Sequence, residues 1–183
     1  MTVFVKKLVL SAMFLSLGLL LPFLTAQIPE IGKALLPMHI PVILCGFICG
    51  WQYGLAVGFI TPLLRSVIFG MPVLYPMAFA MAFELAAYGF MCGLLYQLLP
   101  KKKLCVYPAL LISMIAGRLV YGGVMLVLSG LSESIQYSFG AFLSGTVLTA
   151  IPGIILQLVL IPAIMIALES AHLVPVRGLQ QQP

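Results

Sequence analysis

Met38-His39-Ile40-Pro41-Val42-Ile43-Leu44-Cys45-Gly46-Phe47-Ile48-Cys49-Gly50-Trp51-Gln52-Tyr53-Gly54-Leu55-Ala56-Val57-Gly58 opens a block that runs on to Gly70 with no charge except Arg65. Residues 38 to 70 make 33 positions, too many for one straight helix. About 20 residues, rising about 1.5 Å each, already cross a hydrocarbon core of about 30 Å. The turn-like Gly50-Trp51-Gln52-Tyr53-Gly54 divides the block. It therefore reads as two helices in a tight hairpin, the first of them short.

The same alternation of apolar blocks and short polar breaks extends outward in both directions. Before the hairpin, Gln27–Pro37 is polar and proline-bearing, with Glu30 and Lys33. Ahead of that break an apolar stretch runs from Val3 to Ala26, with Lys6 and Lys7 near its start. A secretory signal also begins with basic residues, but its apolar region covers about 7–15 residues. This stretch is longer, and Leu24-Thr25-Ala26 is a poor cleavage site, so it reads as the first helix. After the hairpin, Met71–Pro76 is a second break, followed by a helix to Leu99 and the loop Pro100-Lys101-Lys102-Lys103. A fifth helix is expected from Leu104 to Leu128, then a polar segment over Ser129–Ser138. The last block, Phe139 to Leu168, contains Pro152 and Pro162, which point to a kink or an outer half lying off the main axis. The expected fold is an all-α integral membrane protein of six transmembrane helices, a single domain over residues 1–183.

Composition agrees. Of 183 residues 63% are hydrophobic and 7% charged, with a mean hydropathy of +1.21. Soluble domains carry about 25% charged residues, so a water-soluble fold is excluded. The chain has no Asp or Asn, which removes Asp-based catalysis and carboxylate metal cages. The net charge of +5 is no nucleic-acid footprint, because the basic residues sit in short clusters beside apolar runs. Cys45, Cys49, Cys92 and Cys105 form no C-x-x-C pair and read as small buried hydrophobes. No metal site and no cofactor are expected.

Six helices put both termini on one side of the membrane. With the N-terminus inside, Lys6, Lys7, Lys101, Lys102, Lys103 and Arg177 are cytoplasmic, and Lys33 alone lies outside. That is a strong positive-inside bias. The loops leave no room for a soluble domain, so function belongs within the cell membrane or at its rims.

Three ionisable residues remain inside spans: Arg65, Glu84 and Arg118. A charge at mid-bilayer costs about 2.5–3.5 kcal/mol even on the lenient insertion scale, so each needs a reason. Counting helical rise places Arg65 about 17 Å and Arg118 about 21 Å from the cytoplasmic face, and Glu84 about 14 Å from the outside. The three share one layer at or just outward of the midplane. On the same helical faces lie Met114, Tyr121 and Gly122 around Arg118, Tyr88 beyond Glu84, and Thr61 and Phe69 around Arg65. Glu84 paired with one Arg would serve equally well as a tie between two helices. Such a tie leaves the second guanidinium uncancelled, and a buried guanidinium is a fork for a carboxylate or phosphate. The candidate ligand-binding residues are therefore Arg65, Glu84 and Arg118, with Tyr75, Tyr88 and Tyr121 as walls. His39 stands at the outer mouth, as a ligand contact or a plain interface residue. Gln157 reads as too far down the last helix to join this layer and as satisfying a helix contact.

Gly46, Gly50, Gly54 and Gly58 recur every four residues, and Gly89 and Gly93 repeat the spacing in the fourth helix. In lipid, small residues that let backbones approach supply packing energy, and intramolecular packing is the preferred reading for all six. The first helix differs. Its Ser11-Ala12-Met13-Phe14-Leu15-Ser16-Leu17-Gly18 sets Ala12 and Ser16 on one small stripe that could dock another membrane subunit.

In length, span count and orientation, and most specifically in His39–Gly58 with its X-Pro start, glycine-spaced hairpin and Gly54-x-x-Val57-Gly58, the chain resembles the substrate-binding S components of energy-coupling factor (ECF) vitamin transporters. The resemblance implies a membrane protein that captures a vitamin from outside. It would work with a transmembrane coupling subunit driven by two cytoplasmic ATPases. It also implies docking of that subunit on an Ala-x-x-x-Ala stripe, matched here by Ala12 and Ser16. No ATP site is expected in this chain, which lacks Gly-x-x-x-x-Gly-Lys-Ser/Thr. The surplus positive charge favours a vitamin with a carboxylate. Trp51, the only tryptophan, lies on the cytoplasmic turn, so a compact acid such as pantothenate ranks ahead of folate. Rival readings are a membrane-embedded enzyme, a self-sufficient oligomeric transporter or channel for an organic anion, and an assembly subunit without ligand. For the enzyme only His39 and His172 are available, on opposite faces and with no Asp to orient either, and the assembly subunit leaves an arginine unexplained.

Overall fold

A computed structural model describes residues 3–25, 34–99, 105–131, 140 and 149–170. The first helix, α1 (Val3–Leu20), ends in a tight turn over Leu21–Thr25. After it come α2 (His39–Cys49) and α3 (Trp51–Phe69), then an irregular helical turn at Leu74–Ala78. Three longer helices follow among the described residues: α4 (Phe79–Leu98), α5 (Val106–Leu131) and α6 (Ile151–Ser170). Glu30, Lys33, Lys101, Lys102, Lys103, His172 and Arg177, used above for breaks, sidedness and chemistry, lie outside the described residues.

Among the described residues, five segments are long and apolar enough to cross a membrane: Val3–Phe23, Trp51–Phe69, Leu74–Leu98, Val106–Leu131 and Ile151–Leu168. The shorter apolar helix α2 has 11 residues and rises only about 16 Å. It needs no lipid-spanning length because every one of its residues is buried, enclosed by α1, α3, α4 and α6. The short first arm of the hairpin is thus the centre of the bundle. Its turn contracts to Gly50, whose φ of 110° and ψ of 167° suit a residue without Cβ. The Gly50 N–H donates to the Gly46 carbonyl at 3.2 Å, and the Gly54 N–H to the Gly50 carbonyl at 2.9 Å.

The glycine ladder is where α2, α3 and α4 meet backbone to backbone. A Cβ on Gly46 would fall 2.5 Å from the Gly89 carbonyl oxygen, and one on Gly54 2.6 Å from the same atom. A Cβ on Gly89 would strike the Gly54 carbonyl, one on Gly58 the Leu85 carbonyl, and one on Gly93 the Trp51 backbone. These atoms belong to helices and cannot step aside. Gly89→Ala is therefore expected to lower the thermal midpoint in detergent, at a cost of about 1–3 kcal/mol or more. Gly123→Ala on α5, where a Cβ would meet nothing within 4 Å, should leave the midpoint unchanged or slightly raised. Equal midpoints for the two variants would contradict the backbone contact.

α1 turns Ser11, Phe14 and Gly18 inward. The Cys45 thiol donates to Ser11 Oγ at 3.7 Å, and the Thr61 methyl fills the space a Gly18 Cβ would take. Ala12 and Ser16 stand on the opposite, exposed side. There Ser16 Oγ donates to the Ala12 carbonyl at 3.0 Å, which hides its proton and leaves a small surface much like alanine. At the other end of the chain the expected helix start at Phe139 lies outside the described residues. α6 begins at Ile151, with Pro152 in its first turn, where proline's missing N–H has no partner to lose. Of the expected kink sites only Pro162 is interior.

Candidate functional site

Glu84 on α4 gathers partners from two other helices. Arg118 Nη1 on α5 lies 2.9 Å from Glu84 Oε1, and His39 Nε2 at the start of α2 lies 3.7 Å from the same oxygen. Glu84 and His39 are each 1% exposed and Arg118 12%. One turn beyond Glu84, the buried Tyr88 ring meets the His39 ring edge to face, with centroids 5.1 Å apart and planes at 80°. Room for that ring comes from Gly117, the residue before Arg118, where a Cβ would fall 2.5 Å from Tyr88 Cε2. Four helical positions, 39, 84, 88 and 118, thus converge on one buried point.

The hydroxyls nearby are already served. Thr61 Oγ1 donates to the Val57 carbonyl and Ser113 Oγ to the Ala109 carbonyl, both at 2.6 Å. The charged cluster is not. His39 Nδ1 and Nε2, Glu84 Oε1, and Arg118 Nε and Nη2 are buried without a hydrogen-bond partner among the described residues. The 2.9 Å approach of Arg118 to Glu84 is an ion pair without hydrogen-bond alignment. Leaving a buried donor or acceptor unmade costs about 1–3 kcal/mol, and a tie between helices would satisfy its own atoms. Nε and Nη2 also form one edge of the guanidinium, the edge that takes a carboxylate or phosphate through two parallel bonds. Glu84 grips the opposite nitrogen. That edge is left open among the described residues.

Arg65 is not brought here. It is 3% exposed, its Nη1 donates to the Leu19 carbonyl, and its guanidinium lies 5.0 Å from the Phe23 ring and 5.4 Å from Phe69. Those rings pack edge to face at 4.9 Å. Arg65 caps the C-terminal end of α1, where helix carbonyls concentrate negative potential. The expectation of one layer for Arg65, Glu84 and Arg118 came from counting helical rise, which says nothing of direction around the bundle. With Arg65 elsewhere and Glu84 opposite Arg118, the cluster carries no surplus cation; its claim on an anion rests on the open guanidinium edge. Tyr75 is 52% exposed in the turn before α4. Tyr121, three residues past Arg118, is partly buried against Ala80, Met125 and Leu128.

Gln157 lies closer to the site than its place in the last apolar block indicates. Because α6 starts at Ile151, Gln157 falls in its second turn, and Nε2 donates to the Leu36 carbonyl at 3.4 Å, three residues before His39. Gly117 and Leu36 were not recognised from sequence. The Gly117-Arg118 dipeptide in an apolar helix is the one signal that could have marked the first.

A family model described as "ECF transporter, substrate-specific component" matches residues 6–165. No curated protein and no solved structure matches the chain.

Proposed function

The chain belongs to the ECF transporter substrate-specific components, and from that premise we propose that it binds a small carboxylic-acid vitamin, such as pantothenate, at Arg118. Membership makes it a multi-pass cell-membrane protein, a substrate-binding subunit for uptake that works with an ECF module rather than an enzyme. The observation that supports an acid is the buried, unpartnered Nε–Nη2 edge of Arg118. The ligand carboxylate takes that edge, while Glu84 holds the guanidinium still. His39 offers a ring nitrogen to a hydroxyl or amide of the same ligand, Tyr88 backs the His39 ring, and Tyr121 flanks the site from α5. A compact ligand is favoured because Trp51, the only tryptophan, packs on Phe90 next to the hairpin turn, at the end of α2 away from His39. Arg65 and Tyr75 have no part in this reading.

In the same proposal the end of α1 bearing Lys6 and Lys7 is cytoplasmic, and energy comes from two ATPases on partner subunits. The coupling subunit docks on the Ala12–Ser16 stripe. Ser16→Leu is expected to abolish co-purification with the coupling subunit while changing pantothenate affinity by less than about twofold, since close helix packing fails on a bulky residue. Retained co-purification would move the docking face elsewhere. The substrate itself is tested by purifying the protein in mild detergent and identifying the co-purified small molecule by mass spectrometry. A carboxylic acid is expected; a ligand with no anionic group would overturn the proposal.

A further inference from the structure

His39 is set in place through one carbonyl. The chain enters α2 by way of Leu36, a buried leucine with φ of 50°, in the left-handed region that side chains other than glycine rarely occupy. The Leu36 carbonyl accepts the His39 N–H at 3.1 Å and the Gln157 side-chain N–H at 3.4 Å. Gln157 is 1% exposed on a span whose mean hydropathy is 2.5. A position that only filled space there would be better served by Leu or Met, because a buried amide must be repaid in hydrogen bonds. One turn earlier on the same helix, a Cβ on Gly153 would fall 2.5 Å from the Ala34 carbonyl oxygen and 2.9 Å from the Leu35 carbonyl carbon. α6 therefore lies directly on the backbone of residues 34–36, with glycine at the point of contact and one amide reaching past it.

We infer that Gln157 is a positioning residue for ligand recognition: by holding the Leu36 carbonyl it fixes the first turn of α2, and with it the His39 ring beside Glu84 and Tyr88. The inference rests on the reading that His39 touches the ligand. It adds a fourth helix, α6, to a site otherwise built on α2, α4 and α5. A residue left in the left-handed region holds only where its surroundings over-determine it, and the Gln157 amide is one of those determinants.

The test has two arms. In protein carrying His172→Gln, His39 is the remaining one of two histidines, and ¹⁵N-histidine labelling reports its ring alone. Gln157→Met, which keeps length and apolar packing but removes the donor, is expected to shift or split the ligand-free His39 ring signals. It should also weaken pantothenate binding about tenfold, the size of one lost hydrogen bond. In a His39→Gln background the same substitution should change affinity little, because its effect passes through His39. Gln157→Asn, too short to reach Leu36, should behave alike and serves where the Met variant does not fold. Unmoved ring signals, or losses that simply add, would overturn the inference. If the parent protein does not bind pantothenate, the proposed substrate falls, while the ligand-free ring signals still decide the role of Gln157.

Discussion

Arg118→Lys is expected to weaken pantothenate binding by at least about 100-fold while leaving the folded protein intact. Lysine keeps a positive charge opposite Glu84 Oε1, which Arg118 Nη1 approaches to 2.9 Å. The ion pair therefore survives. What disappears is the planar Nε–Nη2 edge, since an ammonium is a point charge and cannot offer two parallel donors at fixed spacing. Hydrogen bonds to charged groups are each worth about 1.5–3 kcal/mol. Losing one is worth about a factor of ten or more, and losing the pair about a hundred or more. Calorimetry on the purified proteins measures the change, with the thermal midpoint recorded on the same samples. A loss below about threefold at an unchanged midpoint would show that the edge does not meet the ligand.

Glu84→Leu is expected to destabilise the fold itself. Removing one member of a buried pair strands the other charge, at a cost of about 3–5 kcal/mol, and Arg118 has no second carboxylate among the described residues. The thermal midpoint should fall steeply, and monodispersity in detergent with it. The double variant Glu84→Leu/Arg118→Met removes both charges, and an apolar pair of similar volume should restore the midpoint to the parent value or above. It should not restore pantothenate binding. This separates the two roles of the pair: Glu84 answers Arg118, and Arg118 answers the ligand. A single Glu84→Leu variant as stable as the parent would mean the carboxylate does not compensate Arg118.

The helices and their backbone contacts were legible in the sequence; the direction in which each side chain faces was not. Apolar run lengths marked out the helices, the Met38–Gly70 block, charged only at Arg65, divided at Gly50, and the four-residue glycine spacing marked where α2, α3 and α4 touch. Each of these signals is one-dimensional. Arg65 shows the limit: its layer follows from counting residues, but its partners, Leu19, Phe23 and Phe69, depend on which way α3 faces. Amphipathic patterning normally supplies that direction. It is faint here because lipid and protein interior are both apolar. Gln157 shows it too: its apolar surroundings in the sequence give no sign that its amide reaches the Leu36 carbonyl. The role of Gly117 is a matter of shape. Only the position of the Tyr88 ring explains why no side chain fits there.

The proposed contact between Arg118 and the ligand is open to direct measurement. Protein labelled with ¹⁵N-arginine and loaded with pantothenate carrying ¹³C at its carboxyl should show strong dipolar coupling between carboxyl carbon and guanidinium nitrogens. The separation expected for a two-bond carboxylate fork is about 4 Å, and the coupling should vanish in Arg118→Lys. A sample that binds pantothenate tightly yet shows no such coupling would contradict the assignment of Arg118 as the residue that receives the acid.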